Sequence, residues 1–217
     1  MNTYAWVLLV ALAVAAAADW VAVAQRWRPV EEVVRPAYVL LLLALSYVMH
    51  ADETLYGRWL LAGLGFALAG DILQLVRSDQ AFGFGLLAYL SAYLCFTAVL
   101  LTMALHQPVW PGVAAAMVAL ICVVTFVLWP LARADVREGA PPTVYAFVLG
   151  VFVALSWWAG NLLAAVGASL FVVSDAVLAA GRFWREFRGS TVLAMGTHQL
   201  ALLLLVLGGL RPDLVGS

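Results

Sequence analysis

The chain has 217 residues, of which 66% are hydrophobic and 11% charged, with a formal net charge of -1. Soluble domains run at roughly 45–50% apolar and about 25% charged residues, so water-soluble enzymes, nucleic-acid binders and disordered chains are excluded. A mean hydropathy of +1.03 agrees, and since all 11 basic residues are arginine, their positions report topology rather than recognition of a polyanion.

A helix crossing the hydrocarbon needs about 20 predominantly apolar residues. Taken in chain order, runs bounded by charge, Pro or Gly predict spans near 4–24, 34–50, 59–76, 82–105, 111–131, 142–159, 161–180 and 191–210. The first run lacks a basic leading segment and carries Asp19, so it is expected to persist in the mature protein rather than be cleaved as a signal peptide. The second is short and opens at Arg35-Pro36; the sixth and seventh meet at Gly160-Asn161. About eight spans leave only short connections, which predicts an all-α polytopic membrane protein forming a single transmembrane domain over residues 1–217.

The arginines orient that bundle. Arg26, Arg28 and Arg35 follow the first span, Arg77 the third, Arg133 and Arg137 the fifth, and Arg182, Arg185 and Arg188 the seventh, whereas Arg58 and Arg211 fall on the other side. The positive-inside rule then puts the arginine-rich side in the cytoplasm and both termini outside. Trp6, Trp59, Trp110, Trp129 and Trp184 lie near predicted span ends, as interfacial anchors do. Cys95 and Cys122 lie inside apolar runs and are expected to be free thiols.

Most acids belong to predicted loops, Glu31 among them, but Asp19, Asp71 and Asp175 are embedded in the first, third and seventh spans. A carboxyl group at membrane depth is costly and normally faces the bundle interior or a watery cavity. Each lies about five residues before a predicted cytoplasmic end, about 7–8 Å below the boundary, so the three are expected to share one layer. Gly63, Ala67 and Gly70 lead to Asp71, and Ala164 and Ala168 to Asp175, small residues that let helices approach and turn the acids inward. The plain alternative is that the acids only bond neighbouring helices together. His50 and His106 are at outer span ends and expected to be solvated, while His198 lies near the aspartate layer. A structural hydrogen bond is its plainer role. Asp71, Asp175 and His198 are of the residue types a zinc set uses, but nothing in their spacing requires one, and no metal or other cofactor is expected.

Gly70-Asp71 and the run Gly167-Ala168-Ser169-Leu170-Phe171-Val172-Val173-Ser174-Asp175, followed by Leu178-Ala179, resemble the YhhN-like family of membrane proteins, which includes the lysoplasmalogenases. Arg35-Pro36 and Pro142-Thr143-Val144-Tyr145 extend the resemblance over most of the chain. Two positions depart from the family pattern. Tyr93 stands where the fourth span usually carries histidine, and Ala194 stands where an aromatic commonly precedes the histidine or glutamine of the eighth.

The resemblance implies hydrolysis of the vinyl ether of a lysoplasmalogen, releasing a fatty aldehyde and a glycerophospho-alcohol. A vinyl ether is inert to nucleophiles and is cleaved by acid, which requires a protonated carboxyl group and a second carboxylate to steady the cation and steer water. Removal from water disfavours the charged form of a carboxyl, and neighbouring carboxyls titrate as a coupled pair, so Asp71 and Asp175 are expected to form the catalytic pair without separate assignment of acid and base. Asp19, Arg35, Tyr93, Tyr145, Ser174 and His198 are expected to bind substrate, Arg35 as a phosphate contact or else as an ordinary positive-inside residue. The expected partner is a vinyl-ether lysophospholipid within a bacterial inner membrane, with no nucleic acid and no protein partner. Competing readings are a proton- or cation-coupled transporter built on the same aspartates, and a non-catalytic scaffold.

Overall fold

The structure, a computed structural model, describes residues 3–76, 78–105, 140–183 and 189–210, together with residues 113–114 and 117–118. Within these segments the side chains of 140–146, 179–180 and 182–183 are not described. Most of the predicted fifth span, Tyr145, His106, Cys122 and most of the arginines used to orient the bundle therefore lie outside the described side chains.

Among the described residues the architecture is helical. The α-helices are α1 (Thr3–Ala24), α2 (Arg28–Val48), α3 (Leu55–Leu75), α4 (Asp79–Ala104), α5 (Ala140–Trp158), α6 (Leu162–Phe183) and α7 (Ser190–Leu210), with a short 3₁₀ turn at Ala51–Glu53. Four of them, α1, α3, α4 and α7, are long and apolar enough to cross a membrane. A 22-residue helix such as α1 is about 33 Å long, close to the thickness of the hydrocarbon. Outward stripes of Val7, Val10 and Val14 on α1, and of Leu87, Leu94 and Leu101 on α4, are exposed. Apolar stripes of that extent mark a surface that meets something other than water, here the lipid of a membrane protein.

The helix boundaries follow local chemistry. Thr54 caps α3, its hydroxyl accepting from the Gly57 N–H at 3.1 Å, and Ser78 caps α4 by accepting from Ala81 N–H at 3.0 Å. Gly160, at φ +69°, turns the chain between α5 and α6, and the Asn161 carbonyl oxygen then accepts from Ala164 N–H while its amide donates to the Gly208 carbonyl on α7. The largest departure from the sequence expectation is α2. It begins at Arg28, well before the apolar run, with Pro29 in the first turn where a missing N–H is harmless. Glu31 is thus a helical residue rather than a loop acid, and it pairs with Arg35 one turn later at 2.5 Å. Arg35 and Pro36 lie inside the helix, not at its opening.

Each helix packs against its neighbour in sequence order, and α7 closes the arrangement by packing on α1, α2 and α3 as well as on α6. The continuous core runs from Leu12, Leu42 and Leu64 through Phe96, Phe152 and Phe171 to Leu202 and Val206. Small residues set the closest approaches. A Cβ on Gly63 would lie 2.4 Å from the Phe96 ring, and one on Gly70 would lie 2.9 Å from the Tyr89 ring. That is the close α3–α4 packing the Gly63, Ala67, Gly70 series predicts.

Candidate active site

Polar side chains converge where the C-terminal halves of α1, α3 and α6 meet the N-terminal halves of α2, α4 and α7. Asp19 and Asp71 are buried and Asp175 is half-buried. Helix α4 reaches two of them. The Tyr89 hydroxyl donates to Asp71 Oδ1 at 2.5 Å, and the Tyr93 hydroxyl, one turn further along, donates to Asp175 Oδ2 at 2.7 Å. Residues four apart share a helix face, so a single face of α4 holds a carboxyl group of α3 and one of α6. Gly70 makes this possible for Asp71, because any side chain there would meet the Tyr89 ring.

His198 of α7 completes this side of the site. Its Nε2 lies 3.5 Å from Asp71 Oδ1, near enough to pair if the ring is protonated, but it has no hydrogen-bond partner and is buried. The imidazole is wedged edge-on between Tyr89 and Phe171, at centroid distances of 5.4 and 5.1 Å. A buried ring nitrogen without a partner is unfavourable by about 1–3 kcal/mol.

The next residue of α7 serves a second group of polar side chains. Gln199 accepts from Trp20 Nε1 at 2.8 Å, donates to Asp19 Oδ2 at 2.7 Å, and through its backbone carbonyl accepts from the Tyr38 hydroxyl at 2.8 Å. Arg35 Nε lies 4.0 Å from Asp19 Oδ2, and Asp19 Oδ1 has no partner. The two groups are electrostatically continuous: Asp19 feels the charges of Arg35, Glu31 and Asp71, and Tyr89 feels those of Asp71, Arg35 and Asp175.

The structure thus brings together Asp19, Arg35, Asp71, Tyr93, Asp175 and His198. Arg35 is buried and pairs with Glu31 on its own helix. Ser174 is buried and donates to the Ala194 carbonyl at 2.9 Å, joining α6 to α7. Tyr93 supplies a hydroxyl donor to the Asp175 carboxyl group. Sequence reasoning missed Tyr89, Gln199, Trp20, Tyr38 and Glu31. Tyr89 and Tyr93 at i and i+4 in an apolar run were the available signal; Gln199 offered only its adjacency to His198. The exposed His50 pairs with Glu53 at 3.0 Å, outside this site. Cys95 is a free, buried thiol. Among the described residues, no three His, Cys, Asp or Glu side chains are grouped to hold a metal ion.

A model of the YhhN family matches residues 30–209. The chain is 36% identical over 154 residues to proteins named lysoplasmalogenase from Mycobacterium bovis and Mycobacterium tuberculosis. The matched region is 68% of this chain and 58% of each relative, so the chain spans little more than half the length of these curated relatives. No solved structure matches it significantly. The chain belongs to the YhhN family.

Proposed function

We propose that this chain is an intramembrane hydrolase that cleaves the vinyl ether bond of lysoplasmalogens, with Asp71 and Asp175 as its catalytic pair. The observation that supports the chemistry is the pair of carboxyl groups on α3 and α6, each held by a tyrosine hydroxyl of α4. The name of the mycobacterial relatives supports the substrate class. The reading includes about eight spans in a bacterial inner membrane, with both termini outside and the polar layer near the cytoplasmic face.

The protonated member of the pair delivers its proton to the β-carbon of the vinyl ether, the π electrons form the new C–H bond, and an oxocarbenium ion results. The ionised member faces that cation and takes a proton from the attacking water. The hemiacetal so formed loses its hydroxyl proton while the departing glycerol oxygen gains one, giving aldehyde and glycerophospho-alcohol. One water is consumed and the pair returns to its starting state. Arg35 and Asp19 flank the headgroup side, with Arg35 as the phosphate contact; His198, Tyr93, Ser174 and Tyr145 complete the substrate pocket.

The test is fatty-aldehyde release from a lysoplasmalogen by the purified chain, with an ester lysolipid as control. Aldehyde from the vinyl ether alone, lost in Asp71→Asn and in Asp175→Asn, is the expected result. No aldehyde from folded protein would remove the hydrolase reading and make proton-driven uptake in vesicles the next measurement.

A further inference from the structure

Beyond the polar layer, a small apolar cavity lies between α3, α4, α6 and α7, lined by Leu60, Phe96, Leu100, Ala164, Leu205 and Gly209. Its position relative to the site follows from helical periodicity. Asp71 and Leu60, Tyr89 and Leu100, Asp175 and Ala164, and His198 and Gly209 are each eleven positions apart in the sequence. Eleven positions are about three turns, about 16 Å along an axis. On each of the four helices the cavity residue therefore sits on the face that carries the polar group. The cavity and the carboxyl pair are two ends of one bundle interior. Arg35 and Glu31 of α2 border the polar end.

We infer that this cavity receives the end of the substrate's apolar tail, and that Gly209 sets how long a tail the chain accepts. The inference rests on the hydrolase reading above. A lysoplasmalogen carries its charge at one end, its vinyl ether next, and a single hydrocarbon chain beyond. With the reacting bond at Asp71 and Asp175 and the phosphate toward Arg35, the hydrocarbon has to continue away from α2's N-terminal half. The lining of the cavity is apolar, which suits an alkyl chain and no polar part of the substrate. The rings of Phe96 and Phe171, with centroids 6.4 Å apart, occupy the interval, so a tail reaching the cavity turns them aside. Gly209 has room for added atoms: a Cβ there would meet Leu60 at 3.6 Å and Val99 at 3.9 Å, ordinary contact distances. Its neighbour Gly208 has no such room, since a Cβ would lie 2.8 Å from the Ala164 backbone nitrogen.

The experiment measures kcat/KM for aldehyde release from a series of lysoplasmalogens of increasing tail length, using the full chain in lipid nanodiscs. Gly209→Val is expected to lower the long-tail to short-tail ratio by about tenfold or more, the scale on which an apolar pocket discriminates one methylene group. Leu60→Ala, which enlarges the cavity, is expected to raise it. Gly65→Val, on an exposed face with nothing within 4 Å of an added Cβ, serves as the control and is expected to leave the ratio at the wild-type value. If Gly209→Val does not fold, Leu60→Ala alone decides. Equal loss at every tail length, or a ratio that neither variant moves, overturns the tail seat while leaving the hydrolase reading in place. A wild-type chain that releases no aldehyde at any tail length overturns that reading, and the tail seat with it.

Discussion

Two buried carboxyl environments meet at α7, and adjacent residues of that helix serve them differently. On the Gln199 side, Asp19 has a side-chain amide on one oxygen and the Arg35 guanidinium close by, with Arg35 in turn paired to Glu31. On the His198 side, Asp71 is held by a neutral phenol and faces an imidazole whose charge depends on protonation. Arg35 lies 4.0 Å from Asp19 while its close partner is Glu31, so Asp19 sits at the edge of a buried network of fixed charges, where removing one partner leaves another charge out of water. The Asp19 environment thus joins α1, α2 and α7 through amide and charged partners, whereas Asp71 meets aromatic and imidazole side chains of α4 and α7.

The sharpest way to break this comparison is to neutralise the two sides in turn. Asp71→Asn and Asp175→Asn are expected to lower aldehyde release by about a hundredfold or more, the scale of general acid–base catalysis, with little change in thermal midpoint in detergent. A large loss of stability from either, with activity per folded molecule kept, would make these residues helix cement and erase the distinction. On the other side, Arg35→Met is expected to destabilise the chain by about 3–5 kcal/mol, the effect of leaving a buried carboxylate unpaired. The double variant Arg35→Met with Asp19→Leu should recover most of that loss; additive losses in thermal unfolding would show that the pair is not coupled.

Smaller effects sharpen the comparison within the His198 side. Tyr89→Phe and Tyr93→Phe each remove one hydroxyl donor and keep the ring, so each is expected to lower kcat by roughly tenfold, the equivalent of about 1–2 kcal/mol for a hydrogen bond to a carboxyl group. KM should hold for Tyr89→Phe, whose hydroxyl orients Asp71, and rise for Tyr93→Phe, whose ring and hydroxyl also line the proposed substrate pocket; a rise in KM with kcat unchanged at Tyr89 would transfer it to the binding surface. At the far end of the scale, His50→Ala removes an exposed pair with Glu53, and exposed pairs contribute little. Neither stability nor activity is expected to move measurably.

The parts of the site legible in the sequence are those whose residue type conflicts with their surroundings. Asp19, Asp71 and Asp175 stand out because a charge in an apolar run demands an explanation. Tyr89, Tyr38, Trp20 and Gln199 do not, since aromatic and amide side chains are tolerated in membrane helices on any face. Helix α2 was misjudged for a related reason. Its first turns are amphipathic and charged, so hydropathy truncates them, whereas Pro29 and the Glu31–Arg35 pair support helix there.

The amino-acid sequence by itself determined the solvent and the helical class, because these depend on sums over neighbouring residues. Only the tertiary structure decided which hydroxyl meets which carboxyl. The Tyr93–Asp175 bond joins residues 82 apart and the Gln199–Asp19 bond residues 180 apart. Such pairings depend on how each helix is rotated against partners distant in sequence. That rotation is fixed by close approaches such as Gly63 on Phe96 and Gly70 on Tyr89, which no local pattern specifies.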